Sequence, residues 1–298
     1  MAETFDAIII GGGVMGASIA LHLARRGLGR IILLEREALC AGSTGSSVAS
    51  VDLLTQHPLM AALQVRSLYA FQHCAELYGD QCGWVQTGFA ILGGEDARDG
   101  VREVMRVIGE AGGKIELLCR DDYRHLDPAC VPDDAPVISW APHGGYLDPV
   151  MLTNTFTNAA RQLGVKVRQY EPATKLLHQG DRVTGVRSKS GEIAAATVVV
   201  AAGPWCADFL RPAEIDLPLQ AQRHSVALLA CPAEASPRTS VFDAINLVYA
   251  RPETGGLTVC GSLDLTMGYD NIHTGDECGT PPMAYGMWVW ERLVARYP

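Results

Sequence analysis

Three glycines in a turn near the start of the chain constrain its fold more than any other feature. An apolar run at 7–10 is followed at once by Gly11, Gly13 and Gly16. A helix is predicted over residues 17–26, and a second apolar run, Ile31–Leu34, ends at Glu35, about twenty residues after the last motif glycine. This order of strand, turn, helix and strand predicts a βαβ unit that binds a dinucleotide.

The spacing assigns a chemical role to each part of the turn. Gly11 permits the tight turn, Gly13 lets the backbone approach a pyrophosphate, and Gly16 lets the helix pack on the strands. The N-terminus of the helix attracts the phosphates. Glu35 is expected to accept hydrogen bonds from ribose hydroxyls, and its charge disfavours a 2′-phosphate. The predicted cofactor-binding residues include three neighbours of this motif: Val14, Met15 and Arg36. The alternative is a glycine turn in an α/β sheet that binds no cofactor.

Bulk properties exclude several classes of protein. The 298 residues carry a formal net charge of −9 without a basic block, which argues against a nucleic-acid partner. The longest apolar run, residues 193–203, is too short to cross a bilayer. No secretory leader is expected, because the sequence enters an apolar strand within a few residues without a basic and then apolar segment before it. Nine scattered cysteines without a C-x-x-C pair indicate reduced thiols, a cytoplasmic location and no metal site.

Periodicity predicts the remaining elements. A polar stretch, residues 38–50, is called here the Ser/Thr loop. Helices are predicted at 57–78, 97–111 and 284–296, a strand at 84–92, and turns over 121–136. Asp148 as N-cap, Pro149 and Gly164 delimit another helix. Strands are predicted at 165–167, 174–177, 183–187, 193–200, 222–230, 246–250 and 257–261.

This order of parts resembles the FAD-dependent oxidoreductases grouped with D-amino-acid oxidase, glycine oxidase and sarcosine oxidase. The specific pieces are the glycine turn, Gly-Ser-Thr-Gly-Ser at 42–46, "VVVAAGPW" at 198–205 and "YARP" at 249–252. The resemblance implies an α/β fold class. A discontinuous Rossmann-type FAD-binding domain would comprise residues 1–50 and 144–217. A mixed β-sheet, α+β substrate domain would comprise residues 51–143 and 218–298.

The resemblance also implies how FAD is held. The glycine turn and Glu35 would hold its ADP half, while Ser43, Thr44 and Ser46 would contact the pyrophosphate or the flavin. Ala202 and Gly203 would approach the cofactor through their backbone, with Trp205 packing nearby. Some relatives carry a histidine that bonds covalently to the flavin. Ser46 stands at that place here, so non-covalent FAD is expected.

Members of the family usually continue for several tens of residues beyond the final helix. That continuation lies beneath the flavin ring and often supplies the arginine that binds the substrate carboxylate. This sequence stops at Pro298. The expectation is therefore a missing C-terminal segment, a partner chain that completes the fold, or a non-catalytic chain.

The implied reaction is oxidation of the C–N bond of a small amino acid or N-methyl amino acid. A hydride passes to flavin N5 and an imine forms, which needs no dedicated general base. Oxygen, a quinone or an electron-transfer protein would reoxidise the flavin. The remaining alternative from another class is a NAD-dependent dehydrogenase, which the Ser/Thr loop disfavours.

Three residues are the candidate catalytic and substrate-binding groups. Tyr249 and Arg251 alternate on one strand and therefore share a face, where a phenol beside a guanidinium suits capture of a carboxylate. The alternative is a solvated pair on an edge strand. His224, on the preceding strand, could line the same pocket.

Overall fold

The computed structural model describes residues 3–274 and 279–298. The strands of the described residues are β1 (Glu3–Ile10), β2 (Ile31–Leu34), β3 (Ser50–Val51), β4 (Phe89–Gly93), β5 (Glu116–Leu118), β6 (Val137–Ala141), β7 (Gly145–Tyr146), β8 (Lys166–Arg168), β9 (Ala173–Gln179), β10 (Arg182–Ser188), β11 (Gly191–Val200), β12 (Gln222–His224), β13 (Val226–Ala230), β14 (Ser240–Asp243), β15 (Val248–Glu253), β16 (Leu257–Ser262) and β17 (Tyr269–Asn271). The α-helices are α1 (Val14–Arg25), α2 (Pro58–Gln72), α3 (Cys74–Tyr78), α4 (Arg98–Glu110), α5 (Arg120–Leu126), α6 (Pro149–Gln162), α7 (Cys206–Leu210) and α8 (Met283–Arg296).

A six-stranded sheet carries the glycine turn. Its order is β8-β2-β1-β11-β10-β9, with the first four strands parallel and the last two antiparallel. The inner strand β1 is apolar along its second half because both faces are covered. Ile9 packs with α1 and α6 on one face, and Ile8 packs with Leu176 and Val186 on the other. The sheet therefore holds the turn after β1 on a rigid base.

The second large sheet is seven-stranded and mixed, in the order β13-β16-β15-β14-β4-β6-β5. On one face, Ala250 packs in the same apolar cluster as Val289 and Leu293 of α8. Strand β15 lies between β14 and β16, so the edge-strand reading of Tyr249 and Arg251 is wrong. The hydrogen-bonding partner that makes β15 internal is β14, a strand that the sequence did not reveal.

The chain passes between the two sheets at β3 and β7, and these two short strands pair with each other. Ser50 lies opposite Tyr146, and Val51 opposite Gly145. Gly145 has no room for a side chain, because a Cβ there would clash with the Val85 carbonyl oxygen. The outward and returning crossovers are thus held side by side where the Ser/Thr loop ends.

Local signals gave several boundaries correctly. The carboxylate of Asp148 accepts hydrogen bonds from the amides of Val150 and Met151, Pro149 opens α6, and Gly164 follows the helix with φ +89°. These contacts confirm the predicted start and end of this helix. The eight described cysteines are free thiols, and Cys278 lies outside the described residues.

Other boundaries differ from the sequence predictions. The helix expected over 57–78 is broken at His73, whose φ of −110° and ψ of 27° are not helical. The strand expected over 84–92 begins at Phe89. The strand expected over 222–230 is two strands, because Ser225 leaves the ladder and donates its amide to the Gly268 carbonyl. The turn-rich stretch 121–136 contains most of α5, which the proline-rich composition concealed.

Candidate cofactor and substrate site

The turn between β1 and α1 requires glycine. Gly11 has φ +110°, and a Cβ at this position would clash with the carbonyl oxygen of Ala201. A Cβ on Gly16 would clash with the carbonyl oxygen of Gly11, so its absence allows α1 to approach the strand. These steric relations support the roles that the spacing assigned to both glycines.

Glu35 turns its carboxylate back towards the glycine turn. Oε2 accepts a hydrogen bond from the Gly12 amide at 2.6 Å, and Oε1 accepts one from the Glu37 amide at 2.8 Å. Each carboxylate oxygen has capacity for a further donor. The backbone therefore fixes the Glu35 side chain, and the carboxylate oxygens can still accept hydrogen bonds from ribose hydroxyl groups.

Thr44 of the Ser/Thr loop crosses to the N-terminus of α1. Its Oγ1 accepts a hydrogen bond from the Val14 amide at 3.1 Å. A Cβ added to Gly13 would come within 2.9 Å of the same oxygen, so the glycine leaves room for the hydroxyl. The loop therefore adjoins the helix end whose free N–H groups and dipole favour a phosphate.

A cavity of about 670 Å³ lies above the glycine turn. It is lined by predicted cofactor residues from β1, α1, β2, the Ser/Thr loop and the turn after β11: Gly11, Gly13, Met15, Glu35, Arg36, Ser43, Thr44, Ala202, Gly203 and Trp205. The three other predicted residues do not line it. Gly16 is buried behind the turn, Val14 contributes the amide that binds Thr44, and Ser46 is exposed on the loop.

Trp205 closes one side of this cavity. Its indole ring lies against the guanidinium of Arg36, with 4.0 Å between the Cζ of Arg36 and the ring centroid. Its Nε1 donates a hydrogen bond to the Thr274 carbonyl at 2.6 Å. Sequence reasoning missed other lining residues: Pro172 and Ala173 around the start of β9, and Cys40, Asp208 and Phe209, which lie close in sequence to predicted residues but carry no motif.

The face of the seven-stranded sheet opposite α8 carries a group of aromatic residues. The His224 ring lies edge-on to the Tyr249 ring at 5.9 Å and stacks on the Tyr269 ring at 4.1 Å. Burial lowers the pKa of His224 and outweighs its hydrogen bond to the Ser262 carbonyl, so the imidazole is neutral at pH 7. The structure thus brings two of the candidate substrate-binding residues together.

Tyr249 is 4% exposed, and its hydroxyl has no hydrogen-bond partner among the described residues. Burial raises the pKa of this phenol, which keeps it protonated and able to donate. A buried hydroxyl without a partner costs free energy relative to one that is hydrogen-bonded. Such a group is a candidate for binding a polar atom of a ligand.

Arg251 lies on the same side of β15 as Tyr249, but its guanidinium is largely engaged within the chain. Nε donates to the Val48 carbonyl at 2.8 Å, and Nη1 donates to Pro252 and to Glu253. Its Nη2 has no hydrogen bond to a described residue. The geometry therefore offers one nitrogen of Arg251, rather than a full two-nitrogen fork, to a ligand.

These features belong together in one known family. The sequence profile described as "FAD dependent oxidoreductase" matches residues 6–298. The chain is a member of this family. FAD is accordingly its cofactor, and the NAD-dependent alternative is set aside. The residues around the cavity fit FAD: a glycine cradle, a helix N-terminus for the pyrophosphate and a fixed carboxylate for the ribose.

Named relatives give the family a more specific setting. The chain is 28% identical over 254 residues to 4-methylaminobutanoate oxidase (formaldehyde-forming) of Paenarthrobacter nicotinovorans, covering 85% of this chain and 31% of that protein. It is 27% identical over 268 residues to mitochondrial sarcosine dehydrogenase of Homo sapiens, covering 88% of this chain and 29% of that enzyme. The chain thus spans about three tenths of the length of these relatives.

Among solved structures, L-proline dehydrogenase from P. horikoshii superimposes on this chain with a TM-score of 0.89 at 21% sequence identity. The match covers 100% of this chain and 78% of that one. At this identity the similarity establishes the fold. Within the described ranges, no helix is both long enough and apolar enough to cross a membrane.

Proposed function

We propose that this protein oxidises the C–N bond of a small amino acid or N-methyl amino acid to an imine. The observation that carries the proposal is the hydrogen bond that Nε of Arg251 donates to the Val48 carbonyl oxygen, at 2.8 Å. It sets the Tyr249 face of the seven-stranded sheet against the loop that borders the cofactor cavity. When bound, FAD supplies the hydride acceptor, flavin N5.

The chain itself would hold the cofactor without a covalent bond. Glu35 would accept hydrogen bonds from the adenosine ribose, and the N-terminus of α1 would face the pyrophosphate. The hydroxyl groups of Ser43 and Thr44 would contact the pyrophosphate or the flavin. Ser46 has no imidazole with which to form a covalent link to the flavin. The thirteen cofactor-binding residues named from the sequence thus remain our proposed set, with Val14, Gly16 and Ser46 acting from outside the cavity wall.

Carboxylate recognition would fall to the polar groups on the buried face. The Tyr249 hydroxyl can donate to one carboxylate oxygen, and Nη2 of Arg251 can donate to the same group. His224 lies against Tyr249 as a neutral ring and would add no positive charge near the substrate amine. The chain needs no general base, because hydride loss from the neutral amine gives a protonated imine, which then releases its proton to water and hydrolyses.

We base a proposed division of the chain into two domains on its two large sheets. We propose residues 1–50 and 144–217 as the FAD-binding domain and residues 51–143 and 218–298 as the substrate domain. Free thiols at all described cysteines support a reducing compartment such as the cytoplasm. We propose oxygen, a quinone or an electron-transfer protein as the electron acceptor.

Anaerobic titration of the FAD-loaded chain tests the proposed reaction. Sarcosine, glycine, L-proline and D-alanine are added separately, and the visible flavin absorbance is followed. Loss of the oxidised flavin bands with one of these amines, reversed by oxygen or by an artificial quinone, is the expected result. FAD that stays oxidised with every amine, while dithionite reduces it fully, would contradict the proposal.

A further inference from the structure

Arg251 lies where three segments of the chain meet. It belongs to β15, its guanidinium contacts the end of the Ser/Thr loop at Val48, and its Cζ lies 4.2 Å from the ring centroid of Tyr146 on β7. It is 6% exposed. One buried side chain from the seven-stranded sheet therefore contacts both the loop beside the cofactor cavity and the returning crossover.

The charge of Arg251 is balanced within the same strand. Nη1 lies 2.9 Å from Oε2 of Glu253. Burial alone would raise the pKa of Glu253, but hydrogen bonds from the Thr254 amide and from Arg251 lower it below its ordinary value. Glu253 is therefore a carboxylate at neutral pH, and the buried guanidinium is paired. Removing one member of a buried ion pair strongly destabilises the folded protein, because the other charge is left unpaired.

The segment that Arg251 holds has an unfavourable backbone conformation. Ala49, directly after Val48, has φ +49°, a left-handed conformation that is unfavourable for an alanine. The Ala49 carbonyl accepts a hydrogen bond from the Leu147 amide at 3.2 Å, and β3 pairs with β7 immediately afterwards. Such a conformation persists only where the surrounding contacts fix it. The Arg251–Val48 hydrogen bond is one of those contacts.

We propose that Arg251 is a positioning residue that fixes the Ser/Thr loop relative to the seven-stranded sheet. This inference rests on the proposed function, because it assigns that loop to the flavin and that sheet to the substrate. Through Val48, Arg251 sets the distance between Thr44 at the cofactor and Tyr249 at the substrate. Glu253 and Tyr146 hold the guanidinium in the orientation that this requires.

Amide hydrogen exchange of the FAD-loaded chain, without any amine, tests the proposal independently of turnover. The variants are Arg251→Gln and Glu253→Gln, and the control is Arg187→Gln at an exposed ion pair on β10. In both test variants, peptides covering residues 44–51 and 144–148 are expected to exchange roughly tenfold faster. The control is expected to leave them unchanged. Unchanged exchange in both test variants would overturn the proposal.

Arg251→Lys separates positioning from simple carboxylate binding. A lysine can reach one acceptor but cannot reproduce the bonds of the planar fork to Val48 and Glu253. We expect partial restoration of slow exchange and a lower turnover number. A residue that only binds the substrate carboxylate would raise KM and leave the exchange of the amine-free protein at the wild-type rate. If the wild type oxidises no amine, the proposed function fails, yet the exchange rates still decide whether Arg251 positions the loop.

Discussion

Oε2 of Glu35 lies 2.6 Å from the amide nitrogen of Gly12, across the turn that separates β1 from α1. The turn and the carboxylate therefore fix each other before any cofactor binds. This preorganisation means that ribose recognition costs little side-chain entropy, since the carboxylate is already oriented.

Replacing this carboxylate is expected to weaken FAD binding. In Glu35→Gln, an NH2 group replaces one of two oxygens that both face N–H donors, and the charge is lost. The FAD dissociation constant should rise roughly 10- to 100-fold, because that factor corresponds to the free energy that a hydrogen bond to a charged group contributes. Titration with flavin fluorescence measures it. The control is Glu37→Gln, whose side chain is 58% exposed; equal effects of the two changes would refute the role of Glu35.

Tyr249→Phe is expected to affect substrate binding and stability in opposite directions. The hydroxyl is buried and has no hydrogen-bond partner in the described part of the chain, so its removal should leave the free energy of unfolding unchanged or raise it. For a carboxylate substrate, KM should rise roughly tenfold or more because a donor is lost. Steady-state kinetics and urea denaturation test both parts. The control is Tyr170→Phe at an exposed site. A stability loss without a KM change would show that the hydroxyl is structural.

Asp52, just after β3, is expected to make stability depend on pH. Burial raises its pKa from 3.8 to about 6, although a hydrogen bond from the Leu54 amide opposes the shift. Between these values Asp52 binds more protons in the folded state than in the unfolded state, so its own contribution to stability should rise as pH falls from 7 to 4. At pH 8, Asp52→Asn should be more stable than wild type by about 1–3 kcal/mol.

That advantage of Asp52→Asn should shrink as pH falls through 6 and vanish near 4. Urea denaturation at a series of pH values measures the difference. Asp181→Asn, in the exposed turn between β9 and β10, is the control. A constant difference across this range would mean that Asp52 does not titrate differently in the folded protein.

The buried pair of Asp243 and Arg296 is expected to anchor α8. Each residue is 1% exposed, and Nε of Arg296 donates to Asp243 Oδ2 at 2.7 Å. Burial alone would lower the pKa of Arg296, but Asp243 and Asp134 raise it. Asp243→Ala removes the buried one of the two carboxylates that pair with Arg296 and should cost about 3–5 kcal/mol of unfolding free energy.

The matched control for this pair is Glu192→Gln, at the exposed ion pair with Arg187. An exposed pair contributes about 0–1 kcal/mol, so this variant should be close to wild type. Chemical denaturation monitored by tryptophan fluorescence measures both. Equal stability of Asp243→Ala and wild type would show that α8 is held by its apolar contacts alone.

Much of the cofactor side could be predicted because its signals are local. The glycine turn, the apolar strands around it and the Asp148-Pro149 helix start each depend on residues within a few positions of one another. The substrate side depends on pairing between distant strands. The four residues 240–243 are too short a run for alternation to mark a strand, yet β14 makes β15 internal and thereby buries Arg251. The Arg251–Val48 contact joins residues 203 positions apart and has no sequence signal.

The most direct test of the account is whether the purified chain retains FAD. The protein is incubated with excess FAD, desalted and examined by visible absorption. Acid precipitation then separates non-covalently bound flavin, which is released, from covalently attached flavin, which precipitates with the protein. We expect an oxidised flavin spectrum that remains with the wild-type protein, is much reduced in Glu35→Gln, and is released completely into the acid supernatant. A colourless wild-type protein, or flavin that stays with the acid precipitate, would contradict the non-covalent FAD site described for this cavity.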